Sequence, residues 1–188
     1  TGVLSAGTAS SSTLDGQILE TLAGVCDGRS VTVESGTYTL PNVLSTQNTT
    51  TSWADVTGSS ISYTPPSGTN QVIFEFHLSL STDTDYGGDS RYDARAIILF
   101  KMLIDGTAVT SQNQEWGDNN YSWGDNFFYR GIIDITGTNS VSDGKLSSWT
   151  SSKTIKLQVS SYAATYAARL HANRNGEIPT STSDSNTL

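Results

Sequence analysis

The sequence predicts an all-β protein: an antiparallel β-sandwich of jelly-roll type with an extended N-terminal arm. Three observations predict it. Residues 59–80, SSISYTPPSGTNQVIFEFHLSL, read as a strand, a Pro-Pro/Gly turn and a long second strand. In that strand Val72, Phe74, Phe76, Leu78 and Leu80 share one phase, while Glu75, His77 and Ser79 share the other. A period of two places one face on a core and leaves the opposite face polar, and so solvated or loosely packed. Ser and Thr make up 54 of the 188 residues and only 15% are charged, a bias that suits strands and turns better than helices. The alternation then recurs in three long runs: Ile98, Phe100, Met102 and Ile104; Phe127, Tyr129, Ile133 and Ile135; and Ile155, Leu157 and Val159.

Taken in order, residues 1–16, TGVLSAGTASSSTLDG, form a Ser/Thr-rich arm that cannot bury enough apolar area to fold alone, so its order must come from neighbours. Residues 17–188 are long enough for one full core and too short for two, and are read as a single sandwich domain. Turn signals divide it into strands over residues 17–22, 30–33, 37–43, 59–63, 71–80, 94–104, 127–135, 154–161 and 166–172. This number suits a jelly roll. Asp105-Gly106 is a hairpin turn signal leading into residues 107–110, and Thr136-Gly137 ends the third alternating run. Residues 162–170, YAATYAARL, also fit a helical stripe through Tyr162, Tyr166 and Leu170. No cap residue fixes a helix start there, and the segment is read as strand or extended chain.

Composition excludes several function classes. A net charge of −8 and a pI near 4.5 leave no basic stripe to replace phosphate counterions, which argues against nucleic-acid binding. Cys26 is the only cysteine, so no internal disulfide forms and stability must come from the core or from assembly. Neither a signal-peptide pattern nor an apolar run of membrane-spanning length is present, so no membrane insertion is expected. Asn48-Thr49-Thr50 and Asn120-Tyr121-Ser122 match the glycosylation sequon, a pattern frequent by chance in so Ser/Thr/Asn-rich a chain.

The sequence contains no nucleophile-elbow, zincin, Walker or dinucleotide-binding motif, and its two histidines, His77 and His171, adjoin no nucleophile motif. No catalytic residue, cofactor or metal is expected, and the protein is read as non-enzymatic. Two long loops stand out. Residues 81–93 carry Asp83, Asp85, Asp89 and Asp93 around Gly87-Gly88. These are oxygen donors of the kind calcium takes, but their spacing matches no EF-hand, and a solvated acidic loop is the favoured reading. Residues 111–125, SQNQEWGDNNYSWGD, carry Trp116, Asp118, Tyr121 and Trp123 with Glu115, Asn119, Asn120 and Asp125. Flat aromatic faces beside planar polar groups are the residue types that hold sugars. The alternative is that the tryptophans close the end of the sandwich or an interface between subunits.

The segments GQILETLAGVCDGRSVTVESGTYTLPNV, TTTSWADVTGSSISYTPPSGTNQVIFEFHLSL, FKMLIDGTAV, LSSWTSSKTIKLQV and AARLHAN, in that order, resemble a family of virion-associated β-sandwich proteins of aquatic viruses, cyanophages and large algal viruses among them. The resemblance spans residues 16 to about 173. It implies a surface structural role, as a capsid decoration or minor capsid protein or the head of a fibre, in contact with other virion proteins. It supplies no site residues. Members generally continue past a position like Leu188 into a final strand, and this sequence stops before one, so either that strand lies outside it or this protein dispenses with it. Viral jelly rolls commonly pack as trimers, and a homotrimer is expected on that ground. The leading expectation is a virion surface structural protein anchored by its arm. The alternative is an attachment module that holds host-surface glycan with Trp116, Asp118, Tyr121 and Trp123.

Overall fold

The computed structural model describes residues 17–82, 96–118, 125–135 and 137–172. The arm over residues 1–16, residues 83–93 of the acidic loop with the two that follow, and everything after residue 172 lie outside them. Among the described residues every element is a strand or a short 3-10 turn, and every strand pairing is antiparallel. The fold is all-β, as the sequence predicts. In chain order the strands are β1 (Ser30–Val33), β2 (Gly36–Thr39), β3 (Gln47–Asn48), β4 (Ala54–Asp55), β5 (Ile61–Tyr63) and β6 (Gln71–Thr82). There follow β7 (Ala96–Ile104), β8 (Thr107–Ala108), β9 (Gln114–Asp118), β10 (Asp125–Asp134), β11 (Lys153–Ser161) and β12 (Ala168–Leu170).

Two sheets face each other, one in the order β10-β6-β12-β3 and one built on β11 and β7 at its centre, with β4 and β5 beside β11 and β8 and β9 beside β7. A separate hairpin joins β1 to β2. The alternating residues meet between the sheets. Phe74, Phe76, Leu78 and Leu80 of β6 and Phe127, Tyr129 and Ile133 of β10 share one core with Ile98, Phe100 and Met102 of β7 and Ile155, Leu157 and Val159 of β11. The closest aromatic contact across the gap is Phe100 on Phe127, stacked with ring centroids 4.2 Å apart and planes 16° from parallel.

Gly131 of β10 faces the same core, where a side chain would have to displace the end of Met102. A Cβ at this position would stand 2.7 Å from the sulfur of Met102, which is wholly buried. Tyr129 is also wholly buried, its hydroxyl donates to the Gln112 carbonyl oxygen at 2.8 Å, and burial pushes its pKa up to about 12. The Asp105-Gly106 turn joins β7 to β8 as predicted. Both residues have positive φ (47° and 82°), the conformation of the two-residue turn whose twist matches a hairpin. Asp105 also ties this turn to β11, accepting from the Thr154 N–H at 2.8 Å and from Lys153 Nζ at 3.0 Å.

Four expectations need correction. Residues 17–22 form no strand. Ile18 is 79% exposed, and the segment is held by one side chain, Glu20, rather than by a ladder. The strand expected over residues 37–43 stops at Thr39, before Pro41, which has no N–H to extend it. The strand expected over residues 166–172 shrinks to β12, because Ala164–Tyr166 forms a 3-10 turn that brings the Tyr162 and Tyr166 rings to 6.3 Å. Their i, i+4 spacing comes from that turn and not from a helix. Finally, the region read as a loop from residue 111 holds a 3-10 turn, Thr110–Gln112, and the whole of β9, paired with β7. Thr49, the middle residue of the first sequon, is buried and bonds to Ser161 Oγ and to the Ala168 N–H.

Glu20 organises the N-terminal end of the described chain. Its carboxylate accepts from the Ser35 N–H and the Ser35 hydroxyl, both at 2.7 Å, and from the Tyr63 hydroxyl at 2.8 Å. Partial burial by itself raises the Glu20 pKa, but the bonds from Ser35 and Tyr63 outweigh it and the net shift is downward. Tyr63 moves the opposite way, raised by burial first and then by its bond to Glu20. Since the folded pKa of Glu20 lies below its unfolded value, the stabilisation is complete above the ordinary glutamate pKa and is lost as pH falls through the lower folded value. We therefore expect the melting-temperature gap between wild type and Glu20→Gln to be widest near neutrality and to close in acid. Thermal melts recorded across pH check this, and a gap independent of pH would contradict it.

Candidate functional site

The alternation of β6 that buries Phe74 and Phe76 turns Ile73, Glu75 and His77 outward. β10 lies antiparallel beside it in a register that sets Ile132 opposite Ile73, Arg130 opposite Glu75 and Phe128 opposite His77. Three cross-strand pairs thus form a row on the outer face of this sheet: aliphatic, ionic, aromatic. Ile73 is 45% exposed, Phe128 42% and Ile132 39%. Arg130 Nε stands 3.5 Å from Glu75 Oε1 with both side chains about half exposed, a pair that adds little to the stability of one chain. The His77 and Phe128 rings are 4.3 Å apart. Glu75 and His77 are exposed on this face as expected, with Ile73, Ile132 and Phe128 as apolar residues beside them.

β10 is also the outermost strand of its sheet, so alternate residues aim their backbone groups away from β6. Such an edge invites strand addition. Here side-chain amides occupy it. Gln112 Nε2 donates to the Ile132 carbonyl at 2.6 Å while Gln112 Oε1 accepts from the Ile132 N–H at 2.7 Å, so one glutamine takes the place of a neighbouring strand. Gln114 Nε2 donates to the Arg130 carbonyl at 2.9 Å. Further along, the Asp134 N–H donates to the Gly144 carbonyl, and the Asp134 carbonyl accepts from the Leu146 N–H. A shallow, open groove of 530 Å³ runs along this edge between the glutamines and Arg130, Ile132 and Asp134. Its amides are already engaged with backbone, which makes it a closed sheet margin in chemical terms.

Of the residues singled out for sugar binding, Trp116 lies in β9 opposite Ile98 of β7, with its ring packed against the core. Its indole N–H donates to Asp125 Oδ2 at 3.2 Å. Trp116 is thus partly buried against the core. Asp118 ends β9 opposite Ala96. Tyr121 and Trp123 lie outside the described residues, as do Asp83, Asp85, Asp89 and Asp93 of the acidic loop. Glu115 is exposed on β9. His171 has a left-handed backbone (φ 57°), lies edge-on to Phe76 with ring centroids 6.4 Å apart, and has a buried Nε2 with no partner among the described residues. Burial pushes its pKa down, against a hydrogen bond from its ring to the Thr57 backbone carbonyl, which raises it. Its ring is half-buried against the core residue Phe76.

Sequence reasoning missed Gln112 and Gln114. Gln112 ends a 3-10 turn and Gln114 begins β9, so no strand periodicity in the sequence marked them. No protein-family model matches the chain, and no curated protein matches it.

Removing the Gln112 amide leaves the Ile132 N–H and C=O to water. Gln112→Ala should cost about 1 kcal/mol locally and speed amide exchange at Ile132 about fivefold. Hydrogen exchange read residue by residue checks this, and unchanged protection at Ile132 would show that the amide does not close the edge.

Proposed function

We propose that the protein is a non-enzymatic structural component of a virion surface, a decoration or minor capsid protein whose sandwich is displayed while residues 1–16 anchor it to other virion proteins. One observation carries this reading: the segments that resemble virion-associated sandwich proteins supply strands to both sheets. They supply the β1–β2 hairpin, the β5–β6 unit, the β7–β8 hairpin, β11 and β12. The capped margin of β10 fits the same role, because copies crowded on a lattice need edges that do not add strands to one another. An arm that cannot fold alone gains order on docking, a cost that is tolerable when many copies assemble together. Glycan attachment through Trp116, Asp118, Tyr121 and Trp123 stands second, since the Trp116 ring packs against the core and its N–H donates to Asp125.

Density-gradient purification of particles from the infected host, followed by mass spectrometry, tests the proposal. The protein should co-sediment with the major capsid protein at a fixed ratio, and deletion of residues 1–16 should abolish its incorporation. Recovery only in the soluble fraction would overturn the reading. Loss of host adsorption in Trp123→Ala particles that retain the protein would replace decoration with attachment.

A further inference from the structure

We propose that the outer face of the β10-β6-β12-β3 sheet pairs with the same face of a second copy of this chain. The argument rests on how the three cross-strand pairs are ordered. Two copies laid face to face about a two-fold axis running along the strands, midway between β6 and β10, exchange the positions of the two strands. Each residue then meets the cross-strand partner of its counterpart: Ile73 meets Ile132 of the partner subunit, Glu75 meets Arg130 of the partner subunit, and His77 meets Phe128 of the partner subunit. The operation sets aliphatic on aliphatic, acid on base and aromatic on aromatic.

Charge complementarity selects this occupant. Within one chain Glu75 and Arg130 touch only at 3.5 Å with about half of each side chain in water. A second copy supplies each with an additional opposite charge, and covering them from water strengthens both contacts. The flanking residues gain as well: Ile73, Ile132 and Phe128, each 39% to 45% exposed, lose that exposure. Aligned sheets pack about 10 Å apart with their strands within about 30° of one another, a geometry this axis produces when it is inclined slightly to the strands.

The matched row covers two strands and three residue pairs, so the interface lies at the small end of specific contacts and the dimer is weak and reversible. An isologous face of this kind builds even-numbered assemblies. The homotrimer expected from the packing of viral sandwiches would need a different surface. The pairing stands independently of the virion reading, because it concerns the purified chain.

Sedimentation velocity over about 10 µM to about 1 mM protein tests it, a range suited to weak complexes. Wild type should move from monomer to dimer. Glu75→Arg alone places arginine on Arg130 of the partner subunit, and Arg130→Glu alone places glutamate on Glu75 of the partner subunit. Each should weaken association at least about tenfold. An equimolar mixture of the two single variants should recover the dimer, since the first then meets the second with opposite charges at both positions. Circular dichroism of each variant confirms that it folds. A defect confined to one chain cannot be repaired by mixing, so failure of the mixture to associate overturns the proposal. So does a wild type that stays monomeric throughout, or association that ignores both substitutions.

Discussion

The structure depends on the contact between β7 and β10. β7 lies at the centre of one sheet and β10 at the margin of the other, and Phe100 stacked on Phe127 joins them. Around that stack, Met102 occupies the space that Gly131 leaves, and the buried Tyr129 reaches its hydroxyl to the Gln112 carbonyl. Gln112 is thereby fixed, and its side chain can close the edge of β10. A chain without disulfides has to secure its two sheets through packing of this kind. The consequence for the surface is direct: the same alternation that aims Phe127, Tyr129 and Gly131 inward aims Phe128, Arg130 and Ile132 outward.

A second theme explains the unusual wealth of Ser and Thr. Several strands are only two or three residues long, and side-chain hydroxyls complete the ladders they leave open. Ser59 Oγ accepts from the Leu157 N–H and donates to the Val56 carbonyl, bridging the interval between β4 and β5 along β11. Thr49 Oγ1 accepts from the Ala168 N–H where β3 meets β12, and Ser160 Oγ donates to the Thr51 carbonyl. Asp55 does similar work with charge, accepting from Lys156 Nζ at 2.6 Å and Gln158 Nε2 at 2.9 Å across β4 and β11, and these bonds lower its pKa. Short polar side chains suit this task because they reach backbone one residue away with little loss of rotamer freedom. The two glutamines at β10 extend the same device to a full edge.

Much of the fold was legible in the residues because period-two alternation records which face is buried. Phe74, Phe76, Ile98, Phe100, Leu157 and Val159 all lie where that alternation puts them. β9 was not legible: Gln114-Glu115-Trp116-Gly117-Asp118 contains one apolar residue, and only pairing with β7 makes it a strand. The row on the outer face was half legible. Ile73, Phe128 and Ile132 stand in the outward phase, visible to anyone who counts alternate residues. The register that sets them opposite Ile132, His77 and Ile73 is a property of two distant segments and appears in neither alone. The same holds for Gln112, whose partner at Ile132 is 20 residues away.

The claim that the Phe100–Phe127 contact joins the two sheets can be measured most directly by a double-mutant cycle. Urea unfolding of wild type, Phe100→Leu, Phe127→Leu and the double variant isolates the pair from the burial each ring enjoys separately. A stacked pair bridging the sheets should give a coupling of about 0.5–1.5 kcal/mol. Strictly additive losses would mean that each ring packs on its own sheet, and would contradict the account.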